Sequence, residues 1–143
     1  MKLIFKILFG IGSLLLLLYL FFKVRQEMQY EESITITANY MQYACGDCSI
    51  DMKVIKVDNE KFNFIIGRDV FPIPKEKGFS EFCDFVMRSY YDSRFKENET
   101  IQNFILSGRL HKYPRKGLFE SCHGTPYFTV EKIKYGNGNW KYF

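Results

Sequence analysis

The chain has 143 residues, a length typical of a single domain. Its 20 Lys and Arg residues exceed its 16 Asp and Glu residues, but the surplus lies in the first 25 residues, which carry four basic side chains and no acidic one. The remainder is neutral overall. This balance disfavours a general nucleic-acid binder, because such proteins need excess positive charge to displace counterions.

An apolar run dominates the first 25 residues. From residue 3 to residue 22 the only charged side chain is Lys6, whose long stem lets its amine reach the polar surface of a membrane. This length matches the ~20 residues that a helix needs to span a bilayer. The run ends in bulky residues, whereas a signal-peptidase site requires small ones. Residues 1–25 are therefore predicted to be an uncleaved signal anchor that crosses the membrane through residues 3–22, with a cleaved signal peptide as the alternative.

Basic residues flank this segment on both sides. Two lysines and the α-amino group lie at its N-terminal end, and one lysine and one arginine follow it. Because the more positive side tends to stay in the cytoplasm, we expect a cytoplasmic N-terminus and a C-terminal domain on the periplasmic or extracellular side. Residues 26–32 are predicted to be a linker, and residues 33–143 a folded domain.

The sequence of the first part of this domain indicates a series of strands. Residues 33–43 alternate between apolar and polar side chains, so they are predicted to be a strand. Residues 51–57 predict another, with Met52, Val54 and the stem of Lys56 on one face and Ile55 and Val57 on the other. After turn residues, positions 62–67 are predicted to complete a hairpin. Residues 71–78 contain two prolines, which do not fit inside a central strand, and are predicted to be a loop.

The second part predicts one helix and further strands. Ser80–Arg94 is the approximate extent of the helix, in which the serine suits the N-cap and apolar residues recur at helical spacing. Residues 100–113 predict a strand that Gly108 interrupts, as at a bulge or a tight bend. After a long loop, residues 127–135 predict another strand, and residues 140–143 can add a short final one.

In chain order these elements give the pattern β-β-β-α-β-β. The order, the long first strand, the helix after the third strand and the glycine in the fourth resemble the OB-fold, a five-stranded Greek-key barrel. The resemblance covers residues 33–135 and extends to the OB-like domains of small bacterial envelope proteins. It implies a mainly β domain with one helix, placed after the N-terminal transmembrane helix. A five-stranded SH3-like barrel or another small α+β roll is the alternative.

The four cysteines are Cys45, Cys48, Cys83 and Cys122. An even number of cysteines outside the cytoplasm favours structural disulfides, and four thiols permit three connectivities. In an OB-like domain the loop with the first two cysteines and the loop with Cys122 flank the same face. The resemblance therefore makes a bridge between these loops reasonable.

Two alternatives for the cysteines remain open. A redox Cys-x-x-Cys motif is typically placed at a helix N-terminus, whereas strand-like residues follow Cys48 here. A zinc site could combine Cys45 and Cys48 with Cys122 and His123, and Cys83 or His111 could also contribute, but the second half of the chain lacks a paired ligand motif. We predict disulfides and no cofactor, with zinc binding or thiol-redox activity as the alternative.

One segment combines basic and aromatic residues. No acidic residue lies between Glu99 and Glu120. The candidates for a binding surface in this segment are Arg109, His111, Lys112, Tyr113, Arg115 and Lys116. Such a surface suits an anionic partner. The alternative is an edge strand whose charges prevent aggregation.

The sequence contains no hydrolase, metalloprotease or nucleotide-binding motif. We therefore expect a non-enzymatic, membrane-tethered interaction domain outside the cytoplasm that binds another envelope protein. An oligosaccharide- or nucleic-acid-binding module is the alternative, which the neutral charge of the domain disfavours.

Overall fold

The structure is a computed structural model that describes residues 2–41, 50–95, 102–113 and 125–143. Within these ranges the chain forms two α-helices, one 3-10 helix and six strands. The elements are α1 (Lys2–Glu27), β1 (Ile34–Tyr40), β2 (Met52–Val57), the 3-10 helix (Glu60–Ile65), β3 (Asp69–Pro74), α2 (Phe79–Phe95), β4 (Phe104–Leu110), β5 (Tyr127–Tyr135) and β6 (Lys141–Tyr142). The prediction of a mainly β protein that begins with a helix is confirmed.

The strands belong to one sheet whose pairings form a ring. The order is β3-β2-β1-β4-β5-β6, and β3 also pairs with β5. Among the described strands the β3–β5 pairing is parallel, and the other pairings are antiparallel. The predicted order of five strands is corrected, because β6 pairs with β5 and brings the number in the described residues to six.

The hydrophobic core is built from the inward positions of the strands. The alternation predicted for β1 is confirmed, since Ile34, Ile36 and Ala38 are all buried. In β5 the buried residues are Phe128, Val130 and Ile133. The first two are two positions apart, but the last two are three apart, so the alternation is broken between them. The break arises from a bulge, because an extra β5 residue lies opposite the step from Ser107 to Gly108 in the β4–β5 register. The bulge therefore belongs to β5, whereas β4 keeps its inward alternation through Gly108. The predicted interruption of β4 at this glycine is corrected.

A second bulge corrects the predicted faces of β2. Met52 and Val54 are buried as the alternation suggests, but Val57 is buried with them instead of lying on the opposite face. The register between β1 and β2 skips Ile55, which leaves that side chain exposed. One inserted residue exchanges the two faces for the rest of the strand.

The third strand lies at different residues from those predicted. Positions 62–67 fall in the 3-10 helix and the turn after it, and β3 occupies Asp69–Pro74 in the region predicted to be a loop. Phe71 and Lys75 donate their N–H groups to carbonyls on or beside β5, at 3.0 and 2.9 Å. Because successive N–H groups of a strand point to opposite sides, Pro72 and Pro74 occupy positions where the parallel pairing needs no donor. The two prolines are therefore compatible with this strand.

The predicted helix is confirmed as α2, which begins at Phe79 and ends at Phe95. Ser80 therefore lies in the first turn of the helix, not at the predicted N-cap position. Its buried face carries Phe82 and Val86. Later in the helix, Tyr90 contacts Tyr40 at the end of β1, with 5.0 Å between ring centroids. The helix therefore packs against the part of the ring where β1 ends.

The N-terminal helix α1 contains a segment, Lys6–Arg25, that is long and apolar enough to cross a membrane. Its large apolar side chains are exposed rather than packed against the domain. These properties are compatible with a single-pass anchor, and a signal sequence has them as well.

Candidate binding site

The chain that leaves α1 pairs with the end of β4. Tyr30 donates its backbone N–H to the carbonyl of Leu110, and Lys112 donates its own to the carbonyl of Met28, both at 2.9 Å. Between these bonds, Gln29 and His111 form an antiparallel bridge. Residues 28–30 therefore act as a short additional strand, called the anchor strand below. The anchor strand places the end of α1 at one end of the ring. This end is formed by the start of β1, the end of β4 and the start of β5, and it is called the anchor end below.

Three polar side chains meet at this bridge. The Nε2 atom of His111 lies 3.0 Å from Nε2 of Gln29 and 2.8 Å from Oγ1 of Thr129. Gln29 Nε2 also donates to Thr129 Oγ1 at 2.8 Å. His111 is only 7% exposed, and burial of an imidazole is costly unless its polar atoms have partners. The polar triad of Gln29, His111 and Thr129 therefore links the anchor strand, β4 and β5.

A cavity of about 320 Å³ opens beside the polar triad. Its lining combines acidic, basic, amide, hydroxyl, aromatic and aliphatic groups: Glu27, Gln29, Ile73, Pro74, Lys75, His111, Tyr127 and Thr129. Lys75 also reaches Glu131, with 3.2 Å between Nζ and Oε1. A concave site with a few convergent polar groups and apolar walls can hold and orient a polar group of a ligand.

The structure brings together four of the six predicted binding residues at the anchor end. Arg109 is exposed and lies opposite Thr129 in the β4–β5 register, so both side chains stand on the same face beside the cavity. Lys112 is also exposed, with its Nζ 5.7 Å from the ring centroid of Tyr30. Tyr113 lies under the guanidinium of Arg25 at 4.1 Å. His111 is buried in the polar triad.

The other two predicted binding residues, Arg115 and Lys116, lie outside the described residues. The sequence reasoning missed Gln29 and Thr129. Gln29 and His111 are 82 positions apart, and the predicted linker gave no sign that it would pair with a strand. The sequence signal for the polar triad was His111, which lies near the end of a predicted strand.

The anchor strand also contacts the 3-10 helix. Tyr30 packs against Phe62 and Phe64, with ring centroids 5.1 and 6.5 Å apart. Two residues later, Glu32 accepts a hydrogen bond from Lys61 at 2.6 Å. This hydrogen bond and the charge of Glu32 raise the pKa of Lys61 above its ordinary value of 10.5. The 3-10 helix is thereby held next to the anchor strand.

Most of the predicted cysteine chemistry lies outside the described residues. Cys45, Cys48, Cys122 and His123 belong to that part of the chain, whereas Cys83 is half-buried in α2 against the core. Within the described ranges, no group of three or more His, Cys, Asp or Glu residues is arranged to hold a metal ion. The disulfide, zinc and redox hypotheses therefore stay predictions.

Searches against protein-family models, curated proteins and solved structures found no match for this chain.

Proposed function

We propose that this protein is a membrane-anchored binding domain without catalytic activity, in which the anchor end of the ring captures a segment of another envelope protein. The observation that carries the proposal is the pairing of the anchor strand with the end of β4. It holds the cavity and the exposed Arg109 and Lys112 beside the point where the chain leaves α1. A partner that emerges from the same membrane would meet this surface first.

The charge of the site indicates the chemistry of the partner. Glu27 and Lys75 both line the cavity, whereas Arg109 and Lys112 are exposed cations beside it. We infer that these two exposed cations attract an acidic segment of the partner. The amide, imidazole and hydroxyl groups that line the cavity can hydrogen-bond a polar side chain of that segment. Tethering raises the local concentration of the domain at the membrane, so individually weak contacts suffice for capture.

The pairing order supports a further proposal about the fold. The ring runs β1-β2-β3-β5-β4 and returns to β1, and α2 lies between β3 and β4 in the chain. The OB-fold has this arrangement, so we propose an OB-like barrel with β6 added beside β5. In small barrels of this kind side chains fill the interior, which favours binding at an end or on the outer face.

We also propose that α1 spans the membrane with its N-terminus in the cytoplasm and that the cysteines form structural disulfides outside it. The basic residues before the apolar run and the even cysteine count support this topology. A phosphatase fused to the C-terminus should be active, and the unfolded, unreduced protein should show no reactive thiol. An inactive fusion would indicate the opposite topology. Four reactive thiols would show that the cysteines form no disulfide.

The binding proposal can be tested with a photo-crosslinking side chain at Arg109 or Lys112 in intact membranes. We expect a crosslinked partner that mass spectrometry identifies, and we expect Arg109→Ser combined with Lys112→Ser to weaken its capture at least several-fold. The matched control is Lys53→Ser combined with Lys56→Ser, which removes two exposed charges from β2. Equal capture by both double variants would contradict the proposal.

A further inference from the structure

The 3-10 helix lies close to the C-terminal end of the apolar span in α1. The span ends at Arg25, and Tyr30 follows five residues later. Two of these residues are helical and rise about 1.5 Å each, and three are extended by at most about 3.5 Å each, so the Tyr30 backbone lies within roughly 14 Å of the span. The ring of Tyr30 contacts Phe62 and Phe64. Chain length alone therefore keeps this helix close to the membrane.

The 3-10 helix and its turn present two apolar side chains outward. Phe64 is 49% exposed and Ile66 is 43% exposed. Their neighbours Phe62 and Ile65 are each 1% exposed and belong to the core. Because the buried pair fixes the local backbone, Phe64 and Ile66 cannot turn inward. Met28 is exposed as well. It lies two residues before Tyr30 in the extended anchor strand, so its side chain is on the same side as the Tyr30 ring that contacts Phe64. Met28, Phe64 and Ile66 are called the interfacial patch below.

A second contact places part of the domain at the level of the span itself. The Arg25 guanidinium lies 4.1 Å from the ring centroid of Tyr113, and Arg25 is the last residue of the span. Tyrosine and arginine are typical of the membrane–water interface, whose polar layer is about 5–8 Å thick on each side. Transmembrane helices tilt by about 20° on average, which brings one side of a tethered domain closer to this layer than the other side.

We propose that the interfacial patch of Met28, Phe64 and Ile66 inserts into the headgroup layer of the bilayer that α1 spans, giving the domain a second membrane contact. The inference rests on the proposed membrane anchoring, and its ligand is the lipid surface rather than a protein. Attachment at two points fixes how the ring is rotated above the membrane. It therefore also fixes the direction in which the cavity faces. The proposal is the same for a domain on either side of the membrane.

The test uses the full chain reconstituted in phosphatidylcholine vesicles with or without bromine atoms on the acyl chains. In a Trp140→Phe background, which removes the single native tryptophan, Phe64→Trp supplies the probe. Ile66→Trp is a second probe of the same patch, in case the first variant does not fold. The control is Met87→Trp, a 38% exposed position on α2. Circular dichroism verifies that each variant is folded.

We expect brominated lipid to quench the Phe64 or Ile66 probe at least twofold more strongly than the Met87 probe. If the protein stays in the vesicles after an alkaline wash but all probes are quenched equally, the interfacial patch is refuted and the anchoring stands. If the wash releases the protein from the vesicles, the anchoring itself is refuted. The two failures are thus distinguishable.

Discussion

The two ends of the ring are closed in different ways. At the end formed by the last residues of β1 and β5, α2 covers the core with side chains: Tyr90 packs on Tyr40, and the hydroxyl of Ser93 bonds that of Tyr135. At the anchor end, a backbone segment pairs with β4, and a polar triad borders a cavity.

This difference separates stability from binding. The contacts described at the end covered by α2 are aromatic, such as Tyr90 with Tyr40, and contacts of this kind contribute mainly to the folding free energy. The anchor end keeps polar groups and open volume, which contribute little to stability but can be used by a ligand. Substitutions at the two ends should therefore have different consequences, and those that affect both ends should be the most severe.

Gly108→Ala should have the largest effect, because it disrupts the β4–β5 pairing that both ends share. A Cβ atom at this position would overlap the backbone carbonyl oxygen of Thr129. Backbone atoms cannot move aside without breaking the ladder, so we expect a loss of more than about 3 kcal/mol of unfolding free energy. The full chain in detergent should appear largely unfolded by circular dichroism.

The matched control for this substitution is Gly78→Ala. No atom lies within 4 Å of a Cβ built on Gly78, so its circular dichroism and unfolding midpoint should match those of the wild type. An alanine at position 108 that folds normally would show that the close approach of β4 to β5 is not required.

Phe82→Ala should come next and act through the end covered by α2. The side chain is fully buried and lies 5.2 Å from the ring of Phe143, so its removal leaves a cavity that costs about 3–5 kcal/mol. Met87→Ala, on the exposed side of the same helix, should cost less than about 0.5 kcal/mol. Denaturant unfolding of the full chain measures both, and similar losses would mean that α2 does not cover the core as described.

Thr129→Val should act at the anchor end and be milder. It keeps the shape of the side chain but removes a hydroxyl that bonds both Gln29 and His111, for an expected loss of about 1–2 kcal/mol. Hydrogen exchange should accelerate at the amides of Tyr30 and Lys112, because the triad supports the anchor strand.

The control for this substitution is Thr37→Val on the outer side of β1. It should leave the exchange of the Tyr30 and Lys112 amides unchanged. If the two valine variants exchange alike at these amides, the triad does not support the anchor strand.

Lys61→Met should have the smallest effect. Lys61 and Glu32 are 72% and 45% exposed, and water and salt weaken such a pair. Because Glu32 raises the pKa of Lys61, any stabilisation is complete below the ordinary value of 10.5 and disappears as the pH rises through the raised value. Thermal unfolding midpoints of the two proteins should nearly coincide at pH 7 and converge fully in strong alkali. A large difference between the two unfolding midpoints at neutral pH would show that the Lys61–Glu32 ion pair contributes to stability.

Local patterns were sufficient to predict several elements. The alternation of β1 gave its inward face correctly, and β5 spans the predicted residues 127–135. Each of these predictions depends on residues close together in the chain.

The errors have a different physical origin. Whether Pro72 and Pro74 fit a strand depends on which side the neighbouring strand lies, and β5 is more than fifty residues away in the chain. The bulge at Ile55 likewise appears only once β1 and β2 are paired. The polar triad joins three separate elements, so no single stretch of sequence reveals it.

The anchor strand also constrains the order of events during synthesis. Its bridge partner His111, beside the end of β4, is made 82 positions later. Closing so long a loop carries an entropic cost that only the completed pairings repay. The anchor strand therefore cannot pair until β4 is complete, and a chain truncated before residue 110 would leave residues 28–30 without their partner.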